Sequence, residues 1–405
     1  MLGIDVVYII VNLILLSVFY LVGGKISKGE NWAENAIMCV IAFTLILGLR
    51  YGRGNDYFHY VDIYEYGYNE GQQLVFTWIN GFLKLLGVGR YSFFLFYSFM
   101  EILCAMFFLK RYKKYAQYIL PLFLIATIVF NEYQIRQALG FSFVLLCLDA
   151  LFGIHHMKKV SLTSINREKL ALVILYFTLA YSIHSACGYM LIIMILIYFL
   201  YQRTIPLKIS IPVLLLATYF FSEWFDYSWL NPMLTQFVED DERMSIYIEN
   251  SDKWFSSEGM EEKYTRNPIV LVAEMAGTIS LYILGSKVIN KYVHRADACT
   301  MYNFFVIGSI LQNAFRQLEL LNRIGGDFAM FWFFPLSLVL YYRKDLLGIR
   351  FYIKDMSGQL SYIKRLAHNK KIYKVLMVCL LWYAYDYLKY LFMRGDMTLF
   401  IWDMK

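Results

Sequence analysis

Residues 34–57 read ENAIMCVIAFTLILGLRYGRGNDY. Up to Leu49 the stretch is almost wholly apolar. From Arg50 it turns into a polar corner that carries Arg50, Gly52, Arg53, Gly54 and Asp56. Such a switch marks the end of a membrane helix. Gly52 and Gly54 allow the backbone to turn and expose its N–H groups. Arg50 and Arg53 are placed to hold an anionic group as it leaves the bilayer; the plainer alternative is that both snorkel at a helix end.

Working outward, the pattern of apolar run followed by charged corner repeats along all 405 residues. The chain is 59% hydrophobic and 19% aromatic, with 17% charged residues and a mean hydropathy of +0.48. A soluble core does not hide that much apolar surface, so the expected fold is all-α, a polytopic integral membrane protein. The runs are too long for barrel strands. The net charge of +7 comes from basic residues in short inter-helix loops, which is topology bias and no sign of nucleic acid. Six cysteines are scattered through apolar runs with no CxxC, so neither zinc nor a disulfide framework is expected. The N-terminus lacks a basic n-region and a cleavage site, and the first helix reads as a retained span.

About twelve spans are expected, at roughly 5–23, 34–49, 91–109, 117–131, 135–154, 168–182, 186–202, 206–222, 268–288, 299–313, 326–342 and 372–391. The basic loops are Lys25/Lys28, 110–114, 158–169, Arg203/Lys208, Lys287/Lys291/Arg295 and 343–371. All fall on one side if both termini lie outside. The alternation closes provided 73–88 (QLVFTWINGFLKLLGV) does not cross; it reads as an interfacial or re-entrant helix on the outer side. The segment 343–371 has eight Lys/Arg against Asp345 and Asp355 and reads as a basic cytoplasmic surface for anionic lipid. On this reading 1–405 is a single transmembrane domain with one large outer loop, 223–267.

The outer side then collects the polar corners. One is 131–137, with Glu132 and Arg136 in i,i+4 spacing, readable as a structural ion pair or as a functional arginine. Another holds His184, whose titration range suits proton transfer, although a lone histidine is as readily a packing or capping residue. A third is Gln312, Arg316, Glu319 and Arg323, whose i, i+4, i+7 and i+11 spacing puts all four on one helix face, with Gly325 and Gly326 expected to end the helix before Asp327. That face is either a satisfied Arg–Glu ladder or the wall of a cavity. The outer loop has eleven Asp/Glu against four Lys/Arg and is rich in aromatics, Trp224 and Trp229 among them. Aromatic faces with carboxylates suit sugar recognition; an interfacial aromatic belt is the alternative. Glu101 and Glu274 are intramembrane carboxylates, suited to an ion path or to pairing with an arginine.

The stretch 50–57 with Tyr60, then Ile135-Arg136-Gln137-Ala138, His184-Ser185-Ala186 and Asn322-Arg323-Ile324, resembles the EpsG family of bacterial polysaccharide polymerases. These are Wzy-type enzymes of O-antigen, capsule and exopolysaccharide assembly. The resemblance implies an inverting glycosyltransferase at the outer face of the bacterial cytoplasmic membrane. Its donor and acceptor would be polyprenyl-diphosphate-linked glycans, and a chain-length regulator and a flippase would share its pathway. It implies that Arg50, Arg53, Arg136, Arg316 and Arg323 bind the diphosphate, with Asp56 or His184 as general base. The glycan would lie against Tyr57, Tyr60, Gln137, Asp327, Trp224 and Trp229. No metal or other cofactor is expected. The rival readings are a lipid-linked oligosaccharide flippase, which calls for polar groups near mid-membrane, and an O-antigen ligase.

Overall fold

The computed structural model describes residues 2–54, 56–67, 74–154, 166–221, 267–316, 319–348, 369–393 and 399–400. Helices stand where the hydropathy places spans. They are α1 (Leu2–Ser27), α2 (Trp32–Gly48), α3 (Tyr57–Tyr66), α4 (Leu74–Leu85), α5 (Phe93–Leu109), α6 (Ala116–Tyr133), α7 (Ile135–Phe152) and α8 (Arg167–Ile183). There follow α9 (Ser185–Leu200), α10 (Leu207–Leu216), α11 (Pro268–Val288), α12 (Ala296–Ala314) and α13 (Glu319–Ala329). The last are α14 (Phe333–Tyr341), α15 (Arg343–Leu347) and α16 (Lys370–Met393). Two short strands, β1 (Arg50–Tyr51) and β2 (Leu399–Phe400), pair antiparallel.

Six stretches among the described residues are long and apolar enough to cross a membrane: Val6–Ser27, Phe93–Tyr133, Ile135–Phe152, Pro268–Val293, Asn322–Tyr341 and Lys370–Phe392. Phe93–Tyr133 contains two of the expected spans, α5 and α6, joined through the 3-10 stretch Lys110–Tyr115. Apolar helices such as α2 and α9 have 17 and 16 residues. At 1.5 Å per residue they reach only about 25 Å, short of a hydrocarbon core of roughly 30 Å. The membrane-protein class stands; twelve crossings is a larger number than these helices establish by length and composition.

Local sequence and backbone explain several boundaries. The Asn31, Asn166 and Asn267 side chains cap α2, α8 and α11 by accepting backbone N–H bonds of the first turn. At Gln134 (φ −123°, ψ 55°) the backbone leaves the helical region, so α6 and α7 are separate helices. At His184 (φ −153°, ψ 112°) an extended residue separates α8 from α9. Helices α7 and α12 are buried along most of their length and form the centre of the bundle.

Polar contacts gather at the two ends. At one end Arg111 donates to Asp149 at 2.8 Å, Tyr112 to Asp297 at 3.3 Å, and Asn303 to the Arg203 carbonyl at 2.8 Å. These are the connections that the charge pattern assigns to the basic side. At the other end lie the corners after α2, between α6 and α7, and between α8 and α9. There α3 and α4 pack an aromatic cluster against the start of α5, with Tyr64 stacked on Phe93 at 4.4 Å. On α4 the Asn80 amide oxygen accepts from the Tyr97 hydroxyl at 2.7 Å, while Leu74, Trp78, Phe82 and Leu85 are exposed. An apolar exposed face on a short helix is the form expected of an interfacial segment.

Candidate functional site

The chain leaves α2 through β1 and folds its two arginines inward. Arg50 is 1% exposed; its guanidinium lies over the Phe94 ring at 4.9 Å and donates to the Asn131 carbonyl at 3.5 Å. Burial pushes this guanidinium below its ordinary value, and the Glu132 carboxylate opposes the shift. Arg53 pairs with Glu132 at 3.1 Å, donates to the Ile46 carbonyl at 3.2 Å and lies over the Tyr8 ring at 5.0 Å. The other Glu132 oxygen accepts from Tyr390 at 2.7 Å and Tyr8 at 3.3 Å, and the two phenols meet each other. Gly54 adopts φ +100°, and a Cβ there would lie 2.4 Å from the Glu132 carbonyl oxygen. Only glycine fits that turn.

This geometry revises three sequence expectations. Glu132 does not pair with Arg136 as an i,i+4 ladder, because the break at Gln134 puts them on different helices; its partner is Arg53. Arg50 and Arg53 are buried, Arg50 against backbone carbonyl groups and Arg53 against Glu132 and a carbonyl, so both guanidinium groups are engaged by the fold. Tyr57 is stacked on Phe94 at 4.4 Å, and Tyr60 packs edge-on to Phe76. Both are buried, and the ring faces a sugar would use are covered. Burial also raises the Tyr57 phenol above its ordinary range. Asp56 stays exposed at the N-cap of α3 with no side-chain cap bond.

A second group forms one helix further on. Arg136 stands in the first turn of α7, half-buried. Among the described residues its guanidinium makes no hydrogen bond or ion pair, and its buried Nε is unsatisfied. Beside it Gln137 donates to Asp327 at 2.6 Å, which ties α7 to α13. One turn later, a Cβ on Gly140 would lie 3.3 Å from the His184 Cβ and 2.9 Å from the Cys187 sulfur. Cys187 feels the charges of both Arg136 and Asp327, and Asp327 feels Arg323 one turn before it. Gln137 and Asp327 are thus in contact beside Arg136, His184 packs against α7 one turn further along, and Arg323 is exposed on α13.

The expected polar stripe through 312–323 is broken. Helix α12 ends at Ala314, a turn at Phe315 and Arg316 follows, and α13 restarts at Glu319 as the return arm of a hairpin. Gly325 and Gly326 lie inside α13 and end nothing. A Cβ on Gly325 would meet Gln312 backbone nitrogen at 2.5 Å, so the glycine is there for close packing of the two arms. Arg316 is half-buried in the connection. Trp224, Trp229 and the acidic loop lie outside the described residues, as does most of 343–371. Among the described residues no three His, Cys, Asp or Glu are grouped to hold a metal.

Missed by sequence reasoning were Tyr8, Tyr390 and the pairing of Leu399–Phe400 with Arg50–Tyr51. Their only signal is general: two buried arginines need counter-charge and donors from somewhere in the bundle.

A helical membrane protein that gathers arginines at one end has groups chemically suited to an anionic ligand. The comparison narrows this: residues 35–354 match the model of the EpsG family. The chain belongs to that family, whose members are Wzy-type polysaccharide polymerases. No curated protein and no solved structure matches it.

Proposed function

We propose that this polysaccharide polymerase is an inverting glycosyltransferase of the bacterial cytoplasmic membrane. It crosses about twelve times, with the Arg136 end facing outward. The donor is a polyprenyl-diphosphate-linked glycan and the acceptor is a hydroxyl of a second lipid-linked repeat unit. The acceptor oxygen attacks the anomeric carbon from the face opposite the diphosphate. The bond from that carbon to the leaving oxygen breaks, and its electron pair stays with the lipid diphosphate. His184 takes the hydroxyl proton.

The observation that carries this reading is that the Arg136 guanidinium has no hydrogen-bond or ion-pair partner among the described residues. A half-buried cation without a protein partner costs free energy unless an anion arrives. A diphosphate accepts bidentate bonds from arginine, and its charge grows as the glycosidic bond breaks. Arg323 and Arg316 approach the same anion from the α12–α13 hairpin, and Gln137 with Asp327 contacts the sugar. Arg50 and Arg53 hold the loop after α2 instead of the substrate, and Asp56 remains an exposed carboxylate beside the acceptor path. Partners in the same pathway, a flippase and a chain-length regulator, would deliver and measure the glycan.

The test uses purified protein in vesicles supplied with polyprenyl-diphosphate-linked repeat units. Polymer with the anomeric configuration inverted at each new linkage is the expected product. Movement of intact units across the vesicle without polymer would make the protein a flippase, and retained configuration would remove the single-displacement step.

A further inference from the structure

At the basic end of the bundle the cations fall into two kinds. Arg111 pairs with Asp149 and Arg295 with Asp297, so the fold answers both charges. Arg343 donates to the Leu340 carbonyl at 2.6 Å and lies over the Tyr118 ring at 5.2 Å. Lys114 and Lys291 are both exposed, and among the described residues neither has an ion-pair partner. Their contacts are with aromatic rings.

The Lys114 Nζ lies 5.8, 5.5 and 5.9 Å from the ring centres of Tyr115, Tyr341 and Tyr342. Tyr342 stacks on Tyr292 at 5.0 Å with 9° between the planes, and the Lys291 Nζ lies 5.2 Å from the Tyr292 centre. Contacts therefore run unbroken from one lysine to the other across a platform of tyrosines. Helix α11 passes into a π turn, Ile289–Val293, which carries Lys291 and Tyr292, and His294 follows it at φ +49°. A π turn shifts the phase of the side chains it holds, and left-handed backbone is uncommon outside glycine. The ring that Lys291 covers is thus presented by an irregular turn rather than by continuation of the helix.

The depth of the platform selects its ligand. The apolar stretches Pro268–Val293 and Asn322–Tyr341 both stop at it. Tyrosines and lysines where apolar helices stop lie at the level of lipid headgroups. The anion abundant at that level is the phosphate of an anionic phospholipid, and each lysine near such a surface favours its binding by roughly five-fold. We infer that Lys114 and Lys291, on the platform of Tyr115, Tyr292, Tyr341 and Tyr342, bind anionic phospholipid headgroups in the leaflet at the basic end. The ammonium groups act on phosphate as point charges, and the rings fix where those charges sit. The platform is distinct from the Arg136 group, and the inference does not rest on the proposed reaction.

The test uses the full chain in neutral detergent, titrated with fluorescently labelled phosphatidylglycerol or phosphatidylcholine and read as polarisation. Wild type is expected to prefer phosphatidylglycerol by on the order of 30-fold, the effect of two lysines, and K114Q/K291Q is expected to lose most of that preference. K28Q/K208Q removes the same charge from exposed lysines of other basic loops and is expected to keep it. A K114Q/K291Q protein with the wild-type preference overturns the site. An equal loss in K28Q/K208Q reduces the effect to diffuse charge and overturns it as well. If inorganic phosphate at millimolar concentration displaces the labelled lipid, the platform takes a soluble anion and the lipid assignment fails. All four lysines are exposed, so both variants are expected to melt within about a degree or two of wild type in phosphatidylcholine. A much lower melting temperature for K114Q/K291Q would show that the fold itself uses these lysines, against the inference.

Discussion

The Arg53 guanidinium lies 3.1 Å from the Glu132 carboxylate, with both side chains 3% exposed. They are 79 residues apart in sequence, and the bond locks the loop after α2 to the end of α6. Removing one partner of a buried pair strands the other charge, at a cost of about 3–5 kcal/mol. Glu132→Gln and Arg53→Ala are therefore expected to lower the melting temperature sharply. Differential scanning fluorimetry in detergent measures this. A Glu132→Gln protein as stable as wild type would show that the pair does not hold the loop.

Gly54 gives a backbone version of the same test. With φ +100° and the Glu132 carbonyl 2.4 Å from the position of a Cβ, Gly54→Ala combines left-handed strain with a clash against backbone. A loss of roughly 2 kcal/mol or more is expected, with reduced polymer in cells. Gly81, in the interior of α4 and with no atom within 4 Å of its Cβ position, is the control. There alanine is expected to be neutral or to gain up to about 1 kcal/mol of helix propensity.

Tyr390 donates to the Glu132 carboxylate at 2.7 Å, and Tyr8 donates to the same oxygen at 3.3 Å. Both residues fall outside the stretch 35–354 that matches the family, so the terminal helices α1 and α16 close onto the matched part through one carboxylate. Tyr390→Phe keeps the ring and loses a bond to a charged acceptor, about 1.5–3 kcal/mol. Tyr8→Phe, with the longer bond, is expected to lose less. Thermal melts of the two variants give the order, and the reverse order would move the main anchor to α1.

Much of this was legible in the sequence. Hydropathy located the helices, and the polar corners at Arg50–Arg53 and Asn131–Glu132 do meet. Which charge pairs with which was not legible, because Glu132 has arginines at i+4 and at 79 residues' distance. Only the non-helical Gln134 decides between them. The α12–α13 hairpin was hidden for a related reason. Its turn at Phe315 and Arg316 contains neither glycine nor proline, so the helical spacing ran on unbroken. Gly325, read as a helix stop, is instead the small residue that lets Gln312 approach. Stacking of Tyr57 on Phe94 is a tertiary contact between α3 and α5 that no local pattern carries.

If Arg136 binds the diphosphate as proposed, its behaviour on substitution differs from that of Arg53, which the fold engages. Arg53 is engaged by Glu132 and the Ile46 carbonyl, whereas Arg136 has no hydrogen-bonded partner among the described residues. Deleting Arg136 strands no ion-pair partner among the described residues. Arg136→Ala is therefore expected to melt within a degree or two of wild type while losing roughly 10²–10³-fold in polymerisation rate. Arg136→Lys keeps the charge without the planar fork and is expected to recover only part of the rate. Arg53→Ala should lose stability and activity together. Rates from lipid-linked repeat units, measured beside melting curves, resolve the two patterns. An Arg136→Ala enzyme that polymerises at the wild-type rate would leave the diphosphate to Arg316 and Arg323, and a collapse of its stability would show that the guanidinium is held by the fold.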